Sequence, residues 1–355
     1  MRKRTLIPLS IALAVIAALG VMLYLRAKAP PEAARLLPES DAIVYVQLKT
    51  LRSATHILDE SKDSARAPGL QQFINATGIV PERDIDSAAF ALHRIPAIGP
   101  DGKPHGLSDA ELFTSEVFVG RFDGQRLNQY LRGIATAQEQ YAGRTVYTVP
   151  MDGETVRIAQ LGYDTIAASN MPTVEQIHSM LDRSRASALA TPGSSLLAAR
   201  FHDVPLLSEV WGIGHIGLLF AENGQISVMG MSLPISENAD LVASLRYNAT
   251  VHVLSGGAVQ LRVEEIAPSP SAAATTIDSL TVLLGMLRGI TGAMPPRNPS
   301  DSALREVIAS ATLTQHNDRA LLDASATIEQ LKAIFKNGLP TDADAAQPPP
   351  PPSKP

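Results

Sequence analysis

Leu6 to Leu25 is a run of 20 residues without a charged side chain, and it limits this chain more than any other feature. A helix of that length spans ~30 Å at ~1.5 Å per residue, the thickness of a bilayer's hydrocarbon core. Arg2, Lys3 and Arg4 precede the run. The positive-inside rule keeps such an N-terminus in the cytoplasm and exports the rest of the chain. Arg26 and Lys28 weaken this asymmetry without reversing it. A cleaved signal peptide is the competing reading, because Ala27-Lys28-Ala29 has the small-x-small form of a cleavage site. Pro30 is a poor first residue for signal peptidase, and the apolar run is long for a signal. The expectation is therefore a cytoplasmic stub and uncleaved transmembrane helix over 1–26. It places the protein in the inner membrane, with residues 36–355 periplasmic or otherwise extracytoplasmic.

Charge follows the same division. Residues 1–35 hold six basic side chains and one acid, Glu32, leaving 24 basic and 34 acidic residues over 36–355. An acidic body is repelled by phosphate backbones and anionic headgroups, so no nucleic-acid partner is expected. Membrane contact is expected through residues 6–25. The chain has no cysteine. That excludes a disulfide scaffold, a thiolate zinc site, a cysteine nucleophile and a cysteine lipid anchor, and it suits an oxidising envelope.

Residues 27–38 read as a linker, since Pro30 and Pro31 stop the membrane helix from continuing. Residues 338–355 lack large apolar side chains and end in Pro348 to Pro352, which reads as a disordered polyproline tail. Between them the fold class is α+β, in two related halves over 39–190 and 191–337, each of antiparallel strands with packed helices. The first half opens with a strand over Ala42 to Leu48, and the second with a strand over Leu196 to Phe201. The halves close on the capping boxes Thr173-Val174-Glu175-Gln176 and Thr327-Ile328-Glu329-Gln330, 154 residues apart. Inside the first half, a strand over Glu116 to Phe122 leads to Asp123 as helix cap. A stripe of Leu127, Tyr130, Leu131 and Ile134 comes next, then three strands over 145–149, 156–161 and 165–169. The second half has a strand over Ala258 to Val263 and a helix capped by Ser269 and Pro270. A helix over 302–310 and a hairpin turning at Asn317-Asp318 complete it. The helix near 272–290 is apolar over most of its circumference. It reads as buried between two layers, with a groove or oligomer interface as the alternative. Asp278 and Arg288 argue against a second membrane span.

Motifs carrying chemistry are few. Gly212-Ile213-Gly214-His215-Ile216-Gly217 spells G-x-G-x-x-G, but Leu206 to Trp211 reads as helical or irregular rather than as the strand a dinucleotide site needs. The glycines then serve a tight, closely packed connection. His202 beside Asp203 is the best local metal-donor pair, without a third donor at ligand spacing. His178 reads as a partly buried structural histidine. Asp84-Ile85-Asp86 reads as turn capping rather than as a calcium or acid pair. Asn75-Ala-Thr77 and Asn248-Ala-Thr250 match the glycosylation pattern. No catalytic, cofactor-binding or metal-ligating residue is nominated, and no cofactor is expected.

Leu36-Leu37-Pro38-Glu39-Ser40-Asp41-Ala42, Val119-Gly120-Arg121-Phe122-Asp123 and Tyr141-Ala142-Gly143-Arg144-Thr145-Val146-Tyr147 resemble stretches of uncharacterised bacterial envelope proteins. The resemblance covers mainly residues 36–185. It implies an N-terminal anchor carrying an exported domain, and it transfers no functional residue. The expected function is a membrane-anchored envelope protein that binds or scaffolds another envelope component. The alternative is a divergent envelope hydrolase with a dispersed site.

Overall fold

Ile43 and Tyr45 alternate along one short strand, Trp211 and Ile213 along another, and all four are buried. The strands pair antiparallel, Ile43 opposite Ile213 and Tyr45 opposite Trp211, at the centre of a 12-stranded sheet. The computed structural model describes residues 29–55, 68–96, 111–151, 153–186, 193–215, 221–222, 225–228, 231–233, 239–248, 257–293, 296 and 298–336. The expected anchor over 6–25 and the tail over 338–355 lie outside the described residues.

The first part of the chain runs α1 (Glu32–Leu36), β1 (Ala42–Val46), α2 (Leu48–Thr55), α3 (Pro68–Thr77), α4 (Pro81–Asp84), β2 (Ile85–Ile95) and β3 (Glu111–Gly120). Then come α5 (Gly124–Ile134), β4 (Ala137–Tyr141), β5 (Arg144–Met151), β6 (Glu154–Gln160), β7 (Thr165–Ser169) and α6 (Glu175–Arg185). The second part runs α7 (Ser195–Arg200), β8 (Val210–His215), β9 (Ala221–Glu222), β10 (Gln225–Val228), β11 (Met231–Leu233), β12 (Asp240–Asn248) and β13 (Ala258–Ile266). It closes with α8 (Pro270–Ala293), α9 (Pro299–Ser310), β14 (Thr312–His316), β15 (Arg319–Thr327) and α10 (Ile328–Lys336). The architecture is α+β, with one large antiparallel sheet and ten α-helices among the described residues. Outward from β1 the strand order is β2, β3, β7, β6, β5, β4; outward from β8 it is β12, β13, β15, β14. Strands β9 to β11 form a separate three-stranded sheet.

Alternation gives the large sheet two faces. Ile43, Tyr45, Val117, Ala167, Trp211, Ile213 and Val242 meet Ala33, Ala34 and Leu37, together with Ile177, Met180, Leu181 and Leu197 of α6 and α7. Glu32–Leu36 lies within the expected linker, yet it folds as α1 and delivers alanines to this core. On the opposite face, α5 packs Leu127 and Leu131 against Tyr147 and Val149. There α8 packs Ala273 against Ala267 and Ala320.

Four sequence expectations need correction. Leu196–Phe201 is helix rather than strand: Ser194 caps it by accepting from Leu197 N, and Leu-Leu-Ala-Ala-Arg is a run of helix formers. Trp211 to His215 is strand β8, where glycines fill the positions that alternate with Trp211 and Ile213. The Thr173 box does not close, because α6 starts after Val174 without a side-chain cap and the Thr173 hydroxyl goes to Glu175 instead. Helix α8 is covered on one side only, by Ala273, Thr276 and Leu283. Val282, Met286 and Ile290, spaced by four along the helix, are 65 %, 45 % and 43 % exposed. Arg288 ties the helix down by donating to the carbonyls of Ile308 and Ala309 at the end of α9. Among the described residues, α8 is also a helix long and apolar enough to cross a membrane by length and composition.

The β1–β8 seam requires close backbone approach at one point. A Cβ on Gly214 would lie 2.5 Å from the Ala42 Cβ and 2.9 Å from its Cα, whereas one on Gly212 would meet nothing nearer than 3.7 Å. Gly214→Val is therefore expected to cost about 1–3 kcal/mol by overpacking. Gly212→Ala is expected to be neutral, or to stabilise by up to about 1 kcal/mol. Urea midpoints of the two variants check the contrast, and equal losses would contradict it.

Candidate functional site

The chain enters the site through β3, whose alternation sends Thr114, Glu116 and Phe118 to one face and buried Ser115 and Val117 to the other. Glu116 pairs with Ala168 on β7, and Ala168 with Ile158 on β6. These residues, with Val156 and Ile166, floor a cavity of about 580 Å³. Phe73 of α3, Leu127 and Leu131 of α5, and Ile79, Pro81 and Ile85 around α4 close it from the other side.

The roof is held by identifiable local chemistry. Asp123 caps α5 by accepting from Gln125 N and Arg126 N, as its sequence position predicts. Arg126 then reaches across to α3 and donates to the carbonyls of Asn75 and Ala76, orphaned at that helix's C-terminus. Gly78 ends α3 with φ of +75°, and its N–H donates to Ile74 O. A side chain there would strain the backbone and collide with the Arg126 guanidinium, 2.7 Å from a Cβ. Phe73 and Tyr130 meet edge to face at 5.6 Å and complete the α3–α5 contact.

One end of the cavity is polar. Thr114 N donates to Asn170 Oδ1 at 2.6 Å, and Asn170 Nδ2 donates to Glu154 Oε2 at 2.9 Å. The Thr114 hydroxyl reaches Glu116 Oε1 at 3.4 Å, a long contact. Burial pushes the Glu116 carboxyl above its ordinary range, with only the Thr114 hydroxyl opposing it. Among the described residues lining the cavity there are two acids and no lysine, arginine or histidine. Met151 is half exposed at the β5–β6 turn beside Glu154 and marks the mouth.

The residues weighed from sequence fall elsewhere. His202 Nε2 lies 3.4 Å from Asp203, whose buried carboxylate is already engaged by Arg319 at 2.9 Å. Among the described residues no three His, Cys, Asp or Glu side chains converge as a metal site. Asp84 acts as a cap, accepting from Val80 N at 2.8 Å and held well below the usual carboxylate range by Arg83. Asp86 pairs with Arg52 at 3.2 Å. His178 stacks on Tyr141 at 3.7 Å and lies 3.1 Å from Glu139. Gly212 and Gly214 belong to β8; the end of the G-x-G-x-x-G run, from 216, lies outside the described residues.

Two groups went unread in the sequence. On the other face of β3, His93 Nε2 meets Ser115 Oγ at 2.9 Å, and Ser115 Oγ meets Ser169 Oγ at 3.0 Å. Ser115 is fully buried and burial holds the His93 pKa down, so this chain of polar groups serves the core and offers no nucleophile to solvent. The other is Glu116. Its signal is a lone acid in Ser115-Glu116-Val117-Phe118-Val119, at a position whose alternate neighbour, Phe118, faces inward. A second cavity, of about 610 Å³, lies beside the Tyr45–Trp211 stack and is lined by Phe201, Leu206 and Leu207 with several polar groups.

No family model matches the chain, and no curated protein matches it. Among solved structures, it is similar to crystal form III of TP0453 with a TM-score of 0.44 and 10 % identity over 87 % of this chain and 99 % of that one. Crystal form I of TP0453 gives a TM-score of 0.41 and 11 % identity over 87 % and 98 %. The cavity's own residues carry the functional reading.

A raised carboxyl pKa has a definite sign in stability. Above about pH 4.5 the unfolded chain releases the Glu116 proton while the folded protein still holds it, so this group's contribution falls as pH rises. Glu116→Gln is expected to stabilise the protein by about 1 kcal/mol at pH 7. The gain should vanish near pH 4, where the native carboxyl is protonated in both states. Thermal unfolding at the two pH values checks this. A loss of stability at pH 7 would show that the carboxylate is structural.

Proposed function

We propose that the protein is a membrane-anchored envelope binding module whose cavity between the sheet and α3/α5 receives a small amphipathic ligand. The observation that carries this reading is the cavity itself: about 580 Å³, mostly apolar, with its polar groups gathered at one end. Small-molecule pockets occupy roughly 300–1,000 Å³ and show that division between apolar lining and a few oriented polar groups.

The envelope setting is part of the proposal. The uncharged run over 6–25, the basic residues before it and the acidic body after it support inner-membrane anchoring with an extracytoplasmic body. The two halves over 39–190 and 191–337 are proposed as a duplicated unit. The matching outward strand orders support it, with β1, β2, β3, β7 and β6 answering to β8, β12, β13, β15 and β14. In the second half α8 comes after β13 as α5 comes after β3, but it is 24 residues long against 11. Its exposed stripe of Val282, Met286 and Ile290 supports contact with a further envelope component.

The hydrolase alternative has one observation in its favour: Glu116 and Glu154 share a cavity, and one of them has a raised pKa. The apolar floor around them is suited to holding a hydrocarbon rather than to seating a polar glycan or peptide bond.

Burial of an alkyl chain contributes ~0.8 kcal/mol per methylene, or about fourfold in affinity. Calorimetric titration of n-alkanols from hexanol to decanol into the full chain in lipid nanodiscs, referenced to empty nanodiscs, is expected to show that increment. Ala168→Phe, which fills the floor beside Glu116, is expected to abolish it. An unchanged increment in that variant would remove the cavity as the binding site.

A further inference from the structure

We propose that the cavity is selective for amphipathic cations: its ligand is a single-chain primary amine whose ammonium group sits at the polar end, against Glu116 and on the side of Glu154. The inference rests on the cavity reading above and adds the chemistry of the ligand's head.

Charge complementarity in a confined space points to that head. Two carboxylates line the cavity and no cationic side chain among the described residues answers them. Asn170 donates to one oxygen of Glu154, and Glu116 receives only the long Thr114 contact. An anionic head, such as a fatty acid's, would meet two acids and no cationic side chain to pair with at this end. A neutral alcohol would donate a single hydrogen bond and leave the carboxylates without a counter-charge. An ammonium group offers three donors and one positive charge in a volume smaller than a guanidinium, and charge-assisted bonds of this kind are the strong ones. Apolar length is matched by the floor of Val156, Ile158, Ile166 and Ala168, which leads away from Glu116 beneath Leu127 and Leu131.

The position of Glu116 fits the same ligand. Its register neighbours are Phe90 on β2 and Ala168 on β7, and the small Ala168 leaves room for a head group on that side. Carboxylates kept only for folding are normally paired or capping, as Glu264 is by Arg319 and Asp84 is by Val80 N.

The test compares octylammonium, octanol and octanoate, titrated calorimetrically at pH 7 into the full chain in nanodiscs and referenced to empty nanodiscs. The expected order is octylammonium, then octanol, then octanoate, with the amine at least about tenfold tighter than the alcohol. Glu116→Gln, expected to fold with higher stability than the native chain, should cut octylammonium affinity about tenfold and raise that of octanoate. Glu154→Gln should act in the same direction and less strongly, because Glu154 is exposed. Equal affinity for all three probes, a preference for octanoate, or an unchanged amine preference in Glu116→Gln would each overturn the proposal while leaving the cavity as an apolar site. Failure of all three probes to bind would overturn both.

Discussion

The antiparallel pairing of β1 with β8 is the interaction on which the rest of the structure depends. It joins seven strands on one side to five on the other, so that both sets share one hydrogen-bonded sheet. Two strands alone are marginal, and each set gains stability from continuity across the seam. The pairing demands a residue without a side chain opposite Ala42, and Gly214 supplies it. It also stacks Tyr45 on Trp211, with centroids 5.4 Å apart, over a core that draws on α1, α6 and α7. With one face committed to that core, the other face is free to differ between the two sets of strands. Over one set, short α5 and α3 leave a cavity; over the other, the longer α8 packs on the sheet and leaves Val282, Met286 and Ile290 exposed.

A cavity costs stability in lost contacts, and a desolvated carboxylate inside it costs more. Both costs occur together at Glu116. The surrounding structure is arranged to tolerate them: Asp123, Arg126 and Gly78 fix the two roof helices by hydrogen bonds that do not depend on a filled interior. At Glu116 these costs are set against only the long Thr114 contact, and they are what the proposed ammonium ligand would offset.

Much of the fold was legible where one residue's chemistry decides local structure. Asp123 caps α5, the Ser269 hydroxyl accepts from Ala272 N at the start of α8, and Asn317 takes the positive φ its hairpin needs. The Thr327–Gln330 box closes reciprocally, at 2.7 and 3.2 Å. The segments that escaped are those whose state is set by partners distant in sequence. Leu196–Phe201 is the exception, since its Ser194 cap and helix-forming residues are local and its apolar content suits a strand as well. β8 looked irregular because glycines stand where a strand usually shows polar residues, and the reason for them is Ala42, more than 160 residues away. α8 looked buried because its apolar side chains surround it, while the sheet covers only one side. The site was least legible of all. Glu116 becomes meaningful only when β7, β6, α3 and α5 converge on it, and no local pattern announces that convergence.

Ligand binding in the chamber between the sheet and the α3–α5 roof can be read directly, residue by residue. Hydrogen exchange of the full chain in nanodiscs, with and without saturating octylammonium, locates binding by residue. Added protection is expected in Pro68–Thr77, Gly124–Ile134 and the Glu154–Gln160 strand, with Pro270–Ala293 unchanged. Protection confined to Pro270–Ala293, with no change across the two roof helices, would contradict binding in the chamber.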